Sequence, residues 1–288
     1  MSYYSNTTSR GALSDADIAE RAPSVFSNHA HRNTSDKYSL VPTSRVIDAF
    51  RDSGWEVTSA RQSNVRTESR EGFQKHELRF ARRDHLATLQ AERPKAGDYL
   101  LEAILSNATD GSASFNLIAG IWRCWCDNGC TVATSLCESA SFRHIGLDIG
   151  EIVKAGQGVL NNTDRIGARI ERFQQLELPE TTRRWFAQEA HALRFPEPAK
   201  APVRPARLLN ARRRSDVAHD LWTTFNVIQE NVVRGGQKGR VVGSNHRSRR
   251  ASVRAVNGID QSTKLNQGIF DLAERICAAA PKELFLAN

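Results

Sequence analysis

The spacing of apolar residues changes near Gly146, and this change restricts the chain to an α+β architecture. Before Gly146, residues 55–66 alternate in polarity with a period of two, which is typical of a strand with one buried face. After it, apolar residues recur three or four positions apart, as they do in residues 216–233, which is typical of a helix. Strands followed by helices indicate an α+β protein. The sequence therefore predicts a β-rich N-terminal half, with antiparallel hairpins after a short helix, and a helical C-terminal half.

The predicted N-terminal half begins with a helix over residues 44–53, with Ser44 as N-cap and Gly54 after its end. Strands are predicted over residues 55–66, 73–83, 99–106 and 131–134. Asp110-Gly111 favours a hairpin turn, because this dipeptide tolerates positive φ. The apolar residues of segment 115–126 fit one helical face and a buried strand equally well, so both readings stay open.

Five segments follow from these patterns: an extended N-terminal arm (1–43), a β-rich domain (44–145), a helical region (146–195), a Pro/Arg-rich linker (196–215), and helices that flank a basic mobile loop (216–288, with the loop at 234–254). Helices are expected within 146–178 and over 180–193, 216–233 and 260–279. Four prolines within ten residues mark the linker. The loop lacks apolar periodicity, and we expect it to be disordered until it meets a polyanion.

The positive charge of the chain is concentrated in one segment. The formal net charge is +8, from 40 Lys and Arg against 32 Asp and Glu. Residues 194–254 hold 14 of these positive and 4 of these negative residues, so the remainder is close to neutral. Most of the 14 are arginine, which binds phosphate in a bidentate manner. An anionic partner, nucleic acid above all, is therefore expected.

Two basic surfaces are candidates for nucleic-acid contact. The first is the hairpin of the β-rich domain, and its candidates are Arg61, Arg66, Lys75, Arg79, Arg82 and Arg83. The alternative is a solvated sheet face whose glutamates form ion pairs. The second is the basic loop, with candidates Arg234, Lys238, Arg240, Arg247, Arg249 and Arg250 and no acidic residue between 234 and 254. Its alternative is a solubilising loop.

Metal and catalytic chemistry have weak sequence support. Four cysteines, Cys124, Cys126, Cys130 and Cys137, follow a C-x-C-x3-C-x6-C spacing, which differs from the patterns of structural zinc sites. Reduced thiols in a core are the alternative. GxSxG and HExxH motifs are missing, and His29, His31 and Asp36 are the nearest approach to an acid–base group. We expect no metal, no cofactor and no enzymatic activity.

The sequence also excludes two membrane-related classes. No apolar run approaches the length of about 18 residues that a transmembrane helix needs. The first ten residues are polar and lack the apolar core of a secretory signal. We therefore expect a cytoplasmic protein without a membrane partner.

Several short motifs resemble those of a known family. They include Ser53-Gly54-Trp55, His76-Glu77-Leu78-Arg79-Phe80, Cys126-Asp127-Asn128-Gly129, Asn226-Val227-Ile228-Gln229-Glu230-Asn231 with Arg234-Gly235-Gly236, and Arg254-Ala255-Val256-Asn257-Gly258. Together they resemble an uncharacterised family of phage- and plasmid-borne proteins with a domain of unknown function. The resemblance covers nearly the whole chain and implies a mobile-element origin and a bacterial cytoplasm. It implies no activity and no catalytic residues.

A second likeness is topological. A helix, then Gly54-Trp55 opening a strand, then a basic hairpin resembles the core of the Rad-type single-strand annealing proteins, which form rings and bind single-stranded DNA in a basic groove. The leading hypothesis is therefore sequence-tolerant binding of single-stranded DNA for annealing in recombination, by a homo-oligomer. In this hypothesis the hairpin candidates line the groove and the loop candidates form a clamp. The alternatives are an interaction protein that inhibits a host defence system, such as an anti-restriction factor, and a metal-dependent nuclease.

Overall fold

The computed structural model describes residues 11–65, 67–91, 99–123, 128–131, 140–146, 148–161, 163–242 and 248–280. The chain divides into two compact units, Met1–Thr163 and Asp164–Asn288. The first unit contains an antiparallel sheet with helices, and the described part of the second is helical apart from one two-stranded ribbon. The α+β prediction is confirmed.

The first unit holds ten α-helices and β-strands in its described residues. In chain order they are α1 (Asp15–Arg21), α2 (Thr43–Asp52), β1 (Trp55–Gln62), β2 (His76–Arg82), α3 (Arg83–Ala91), β3 (Tyr99–Asn107), β4 (Phe115–Arg123), β5 (Asn128–Thr131), β6 (Ala140–Phe142) and α4 (Ile149–Asn161). Strands β1 to β4 are neighbours in order, and β5 and β6 both pair with β4. Every pairing is antiparallel. Segment 115–126 fitted both a helix and a strand, and its described part, Phe115–Arg123, forms strand β4.

The N-terminal segment contains a capped helix instead of the extended arm that the sequence predicts. The Ser14 hydroxyl accepts a hydrogen bond from the Asp17 N–H, and the Asp17 carboxylate accepts one from the Ser14 N–H. This reciprocal pair satisfies two donors that would otherwise be unpaired at the start of α1. Ile18 and Val25 are fully buried. The segment is thus part of the folded core of the first unit.

Apolar side chains on one face of the sheet pack against helices. Leu78 and Phe80 point to the same face of β2, because side chains alternate along a strand, and both are fully buried. Phe50 of α2 lies 4.7 Å from Phe80, measured between ring centroids. Helix α2 begins at Thr43, one residue before the predicted start, so Ser44 lies in its first turn and is not its N-cap.

A buried polar cluster joins the N-terminal segment and α2 to the sheet. The His76 ring lies 3.1 Å from the Ser24 hydroxyl through Nδ1 and 2.9 Å from the Thr43 hydroxyl through Nε2. Asn107 donates a hydrogen bond to the Thr43 hydroxyl at 3.0 Å. Burial lowers the pKa of His76 to about 4, so the imidazole is neutral at pH 7. His76 therefore has a structural role.

The second unit is built around a buried helix. Its elements are α5 (Thr163–Gln175), α6 (Glu180–Arg194), α7 (Leu221–Arg234), β7 (Lys238–Val242), β8 (Ser248–Ser252) and α8 (Ile259–Ala279). All residues of α7 from Leu221 to Val232 are buried. Phe225 of α7 and Phe173 of α5 each lie 5.6 Å from Phe270 of α8, between ring centroids. Helix α7 starts at Leu221, later than predicted, because the Asp220 carboxylate accepts the Thr223 N–H and caps it.

Two segments that the sequence predicts to lack regular structure are ordered by contacts. The linker contains short 3-10 helices, Pro198–Lys200, Pro205–Leu209 and Arg214–Asp216, and its Leu208 is buried. The basic loop, predicted to be disordered, pairs with itself in the antiparallel strands β7 and β8. We call this pair of strands the ribbon.

Candidate nucleic-acid interface

The basic residues of the first hairpin are paired with carboxylates. Arg61 makes a bidentate contact with Glu77, at 2.9 and 2.8 Å. Arg79 donates to Glu102 at 2.9 Å and also lies 3.5 Å from Glu77. The two glutamates are 3% exposed, so the cluster is internal. Its two positive and two negative charges cancel.

The pKa values of the two glutamates show how tightly the cluster is balanced. Burial alone would raise the pKa of Glu77, but the Arg61 and Arg79 guanidiniums together hold it below its ordinary value. Burial raises the pKa of Glu102 above its ordinary value. A single guanidinium, that of Arg79, acts in the opposite direction and does not outweigh burial, and the negative charge of Glu77 also opposes the ionisation of Glu102. Removing an arginine from this cluster would leave a buried charge uncompensated. Arg61 and Arg79 therefore serve the fold of the sheet.

The outer residues of this hairpin are paired as well. Arg82 lies 2.6 Å from Asp84, and Arg83 lies 2.8 Å from Glu56. Arg83 begins α3, a helix that the sequence did not predict, and does not extend β2. Lys75 is half-buried and Arg66 lies outside the described residues. The positive charge of the paired arginines is thus offset by carboxylates of the hairpin itself, of β3 and of the first turn of α3.

The second basic surface rises from a polar cluster at the C-terminal end of α7. Glu230 is 2% exposed, and its carboxylate accepts two hydrogen bonds from Arg213, both at 2.7 Å. Arg234 donates a third at 2.9 Å. Arg213 also reaches Asp216 at 3.2 Å. Arg234, a predicted contact residue, is therefore held by Glu230 where the chain leaves α7 for the ribbon.

Asn231, next to Glu230, holds the linker and the start of the ribbon together. Its amide donates to the Leu208 and Asn210 carbonyls at 2.9 and 3.0 Å. Its side-chain carbonyl accepts hydrogen bonds from Arg212 and Gln237, both at 2.9 Å. These hydrogen bonds of the buried Asn231 side chain fix the position of the linker relative to α7. The motif that carries the family resemblance is thus a structural support.

Two glycines permit the close packing at the ribbon base. Gly235 has a φ of 62°, and a Cβ there would lie 2.6 Å from the Val253 carbonyl oxygen. A Cβ on Gly239 would lie 1.8 Å from the Pro202 carbonyl oxygen. That same carbonyl accepts the Arg240 N–H at 3.0 Å, so the linker runs along β7. The ribbon is therefore supported by its partner strand and by the linker.

The register of the ribbon places like charges opposite each other. Arg240 pairs with Arg250, and Lys238 pairs with Ser252 two residues along, so these three cations share one face. Arg249 lies on the other face. Four residues, which we call the ribbon cations, are exposed and have no carboxylate partner in the described part of the chain; they are Lys238, Arg240, Arg249 and Arg250. Arg240 instead donates to the Ser248 hydroxyl at 2.9 Å.

This arrangement is electrostatically unfavourable without an anion. Directly opposed residues on one face have Cβ atoms about 5 Å apart, and like charges at that distance destabilise the pairing. Bidentate guanidinium–phosphate contacts would remove the repulsion. Arg247, another predicted contact residue, lies outside the described residues. The ribbon thus brings together four exposed cations that have no carboxylate partner in the described part of the chain.

The other candidate groups have structural surroundings or lie outside the described residues. His31 Nε2 lies 2.9 Å from the Ser69 carbonyl oxygen, and the His29 and His31 rings both contact Phe73 at 5.1 Å between centroids. Of the clustered cysteines, Cys124, Cys126 and Cys137 lie outside the described residues. Within the described ranges, no group of three or more His, Cys, Asp or Glu residues could hold a metal ion. No helix in those ranges is long and apolar enough to cross a membrane.

The fold and the ribbon define an α+β protein with a cationic ribbon supported by a buried helix. Residues 30–270 match the family model described as Domain of unknown function (DUF932), and the chain belongs to this family. It is similar to UPF0380 protein YafZ and UPF0380 protein YfjQ, both of Escherichia coli (strain K12). Each is 32% identical over 264 residues, which cover 92% of this chain and 91% of the relative. No solved structure matches the chain.

Proposed function

We propose that this protein is a sequence-tolerant DNA-binding protein that contacts the phosphate backbone through the ribbon cations. The observation that carries the proposal is the opposed pair Arg240 and Arg250, which have no acidic partner among the described residues. Phosphate groups would neutralise the repulsion within this pair, so binding and ribbon stability would support each other. The same physical reason argues against the first hairpin, where each arginine that the structure describes already has a carboxylate.

The shape and composition of the ribbon fit backbone contact. A two-stranded ribbon can enter the major groove of duplex DNA, which is about 12 Å wide. Apart from its cations, the ribbon consists of Gly, Val, Ala and Ser residues, and it carries none of the Asn or Gln side chains that read adenine. Phosphate contacts position a protein without reading sequence. Arginine and lysine also read guanine in the major groove, so sequence-tolerant binding is expected where the ribbon cations contact phosphates and not base edges.

Binding of single strands and annealing in phage or plasmid recombination is the narrower form of the proposal. Single-strand binding usually adds the stacking of bases on aromatic side chains. Strands β7 and β8 contain no aromatic residue. Stacking would have to come from another part of the chain, so the ribbon supports phosphate contact with either form of DNA.

The test is fluorescence anisotropy with labelled single-stranded and duplex DNA across a salt series. The double variant Arg240→Gln and Arg250→Gln should lower affinity for all sequences. It should also reduce the salt slope by about 1.8 on duplex, since each phosphate contact contributes about 0.9. Arg82→Gln is the matched control, because Arg82 is equally basic and exposed but already paired with Asp84. The proposal fails if the wild-type chain does not bind DNA at low salt, or if the double variant binds as wild type does.

A further inference from the structure

A cavity in the second unit lies apart from the ribbon cations. It has a volume of about 780 Å³ and is open to solvent. One wall is α6, and another is the 3-10 helix Pro205–Leu209 of the linker. The cavity is as large as those that bind small ligands, which measure roughly 300–1,000 Å³.

The two walls differ in chemistry. Four polar residues of α6 line the cavity; they are Glu180, Arg183, Arg184 and Gln188. Their spacing of three, four and eight positions places them on one face of the helix. The linker wall is apolar, with Pro205, Ala206 and Leu209. The His219 side chain completes the lining.

The charges of the α6 wall leave one cation uncompensated. Arg184 pairs with Glu180 at 2.5 Å, so these two charges cancel. Arg183 has no carboxylate partner in the described ranges, and its Nε is buried without a hydrogen-bond partner. A buried donor on a charged group is costly to leave unpaired. The buried Nε is closed off from the open cavity as well, so an anion there would be bound by the terminal nitrogens of the Arg183 guanidinium.

We infer that this cavity binds the phosphate group of a nucleotide-sized ligand. The Arg183 guanidinium would hold the phosphate, with His219 as a further donor, and the apolar linker wall would contact the base or sugar. The phosphate can come from a free nucleotide or from a nucleotide of a bound DNA strand. The inference concerns residues other than the ribbon cations and does not rest on the ribbon binding DNA.

The experiment is calorimetric titration of the full chain with deoxythymidine monophosphate, followed by anisotropy with a single-stranded oligonucleotide. If the ligand is a free nucleotide, the monophosphate binds saturably and Arg183→Gln weakens it by roughly tenfold or more, because one charge-assisted contact is lost. If the phosphate comes from DNA, the monophosphate does not bind. The salt slope of oligonucleotide binding then falls by about 0.7 in Arg183→Gln.

Two further variants make the result specific. Ala206→Phe fills the cavity from the apolar wall without changing charge, and Ala206 is exposed, so folding should tolerate the change. It should weaken the same binding as Arg183→Gln does. Arg214→Gln removes an exposed arginine that does not line the cavity and should have no effect. The ribbon double variant should leave monophosphate binding unchanged.

The inference is overturned by either of two results. One is that Arg183→Gln changes neither monophosphate binding nor the oligonucleotide salt slope. The other is that Arg214→Gln changes them as much as Arg183→Gln does, since the effect would then be one of net charge. Failure of the ribbon proposal would look different, because it would appear in the ribbon double variant and not in Arg183→Gln.

Discussion

Replacing Glu230 by glutamine tests whether the polar cluster below the ribbon stabilises it. Glu230 is 2% exposed and accepts two hydrogen bonds from Arg213 and one from Arg234. Breaking a buried pair by removing one partner costs about 3–5 kcal/mol. Asp216 still reaches Arg213 at 3.2 Å, and the glutamine carbonyl oxygen can still accept hydrogen bonds from the arginines. We therefore expect a loss near the lower limit, about 3 kcal/mol.

The measurement is hydrogen exchange of the α7 amides, which reports opening of this helix without assuming that the two units unfold together. A loss of about 3 kcal/mol should speed exchange by roughly 100-fold, since about 1.4 kcal/mol corresponds to a factor of ten. Arg234→Gln is the matched control. Its side chain is 52% exposed, so its loss should cost about 1 kcal/mol or less. Equal effects of the two variants, or a loss below about 1 kcal/mol for Glu230→Gln, would refute this reading of the cluster.

The Glu230→Gln variant also tests whether DNA binding depends on the position of the ribbon or only on the local charge. Glu230→Gln removes a negative charge near the ribbon, so a purely electrostatic interface would bind DNA more tightly. An interface that depends on the supported ribbon would bind less tightly, because Arg213 and Arg234 lose the carboxylate that positions them. We expect weaker binding in the anisotropy assay, and tighter binding would show that ribbon geometry is unimportant.

Two further outcomes follow from the structure. His76 has a pKa of about 4 when folded and about 6.5 when unfolded, so stability present above pH 6.5 should be lost as pH falls to 4, by up to about 3 kcal/mol. In urea denaturation at several pH values, the free energy of unfolding should depend less on pH in His76→Gln than in the wild type. Equal pH dependence in the two proteins would contradict the assignment of this effect to His76. Gly239→Ala places a methyl group against the Pro202 carbonyl and should destabilise the ribbon by about 1–3 kcal/mol, seen as faster proteolysis at β7. In Gly236→Ala the φ of 85° strains the alanine, but its Cβ meets no atom within 4 Å, so this variant should be cut more slowly than Gly239→Ala.

Local patterns in the sequence were sufficient where an element carries its own apolar periodicity. Helices α6 and α8 lie within a residue of their predicted bounds, and β3 ends one residue beyond its prediction. Residues 115–126 stayed ambiguous because a short apolar run fits a helix and a buried strand alike. It is pairing with β3, β5 and β6 that makes β4 a strand.

The ribbon could not be predicted from local pattern. Lys238 to Val242 and Ser248 to Ser252 lack the alternation of apolar and polar residues that marks a strand. Their pairing is supported by the Pro202 carbonyl, which is remote in sequence, and by the Asn231 cluster, which brings the linker residues Leu208 and Asn210 to the end of α7. Contacts of this kind leave no periodic trace in the sequence.

The sequence by itself determined the α+β class, the concentration of positive charge in residues 194–254, and the family motifs. The tertiary structure decided which of those charges have partners. Arg79 meets Glu102 of a neighbouring strand, and Arg213 meets Glu230 of a buried helix, whereas Arg240 and Arg250 meet each other. Net charge is a sum along the chain, but electrostatic interaction falls off with distance in space. For that reason only the folded chain separates the cations that stabilise it from those that are available to an anion.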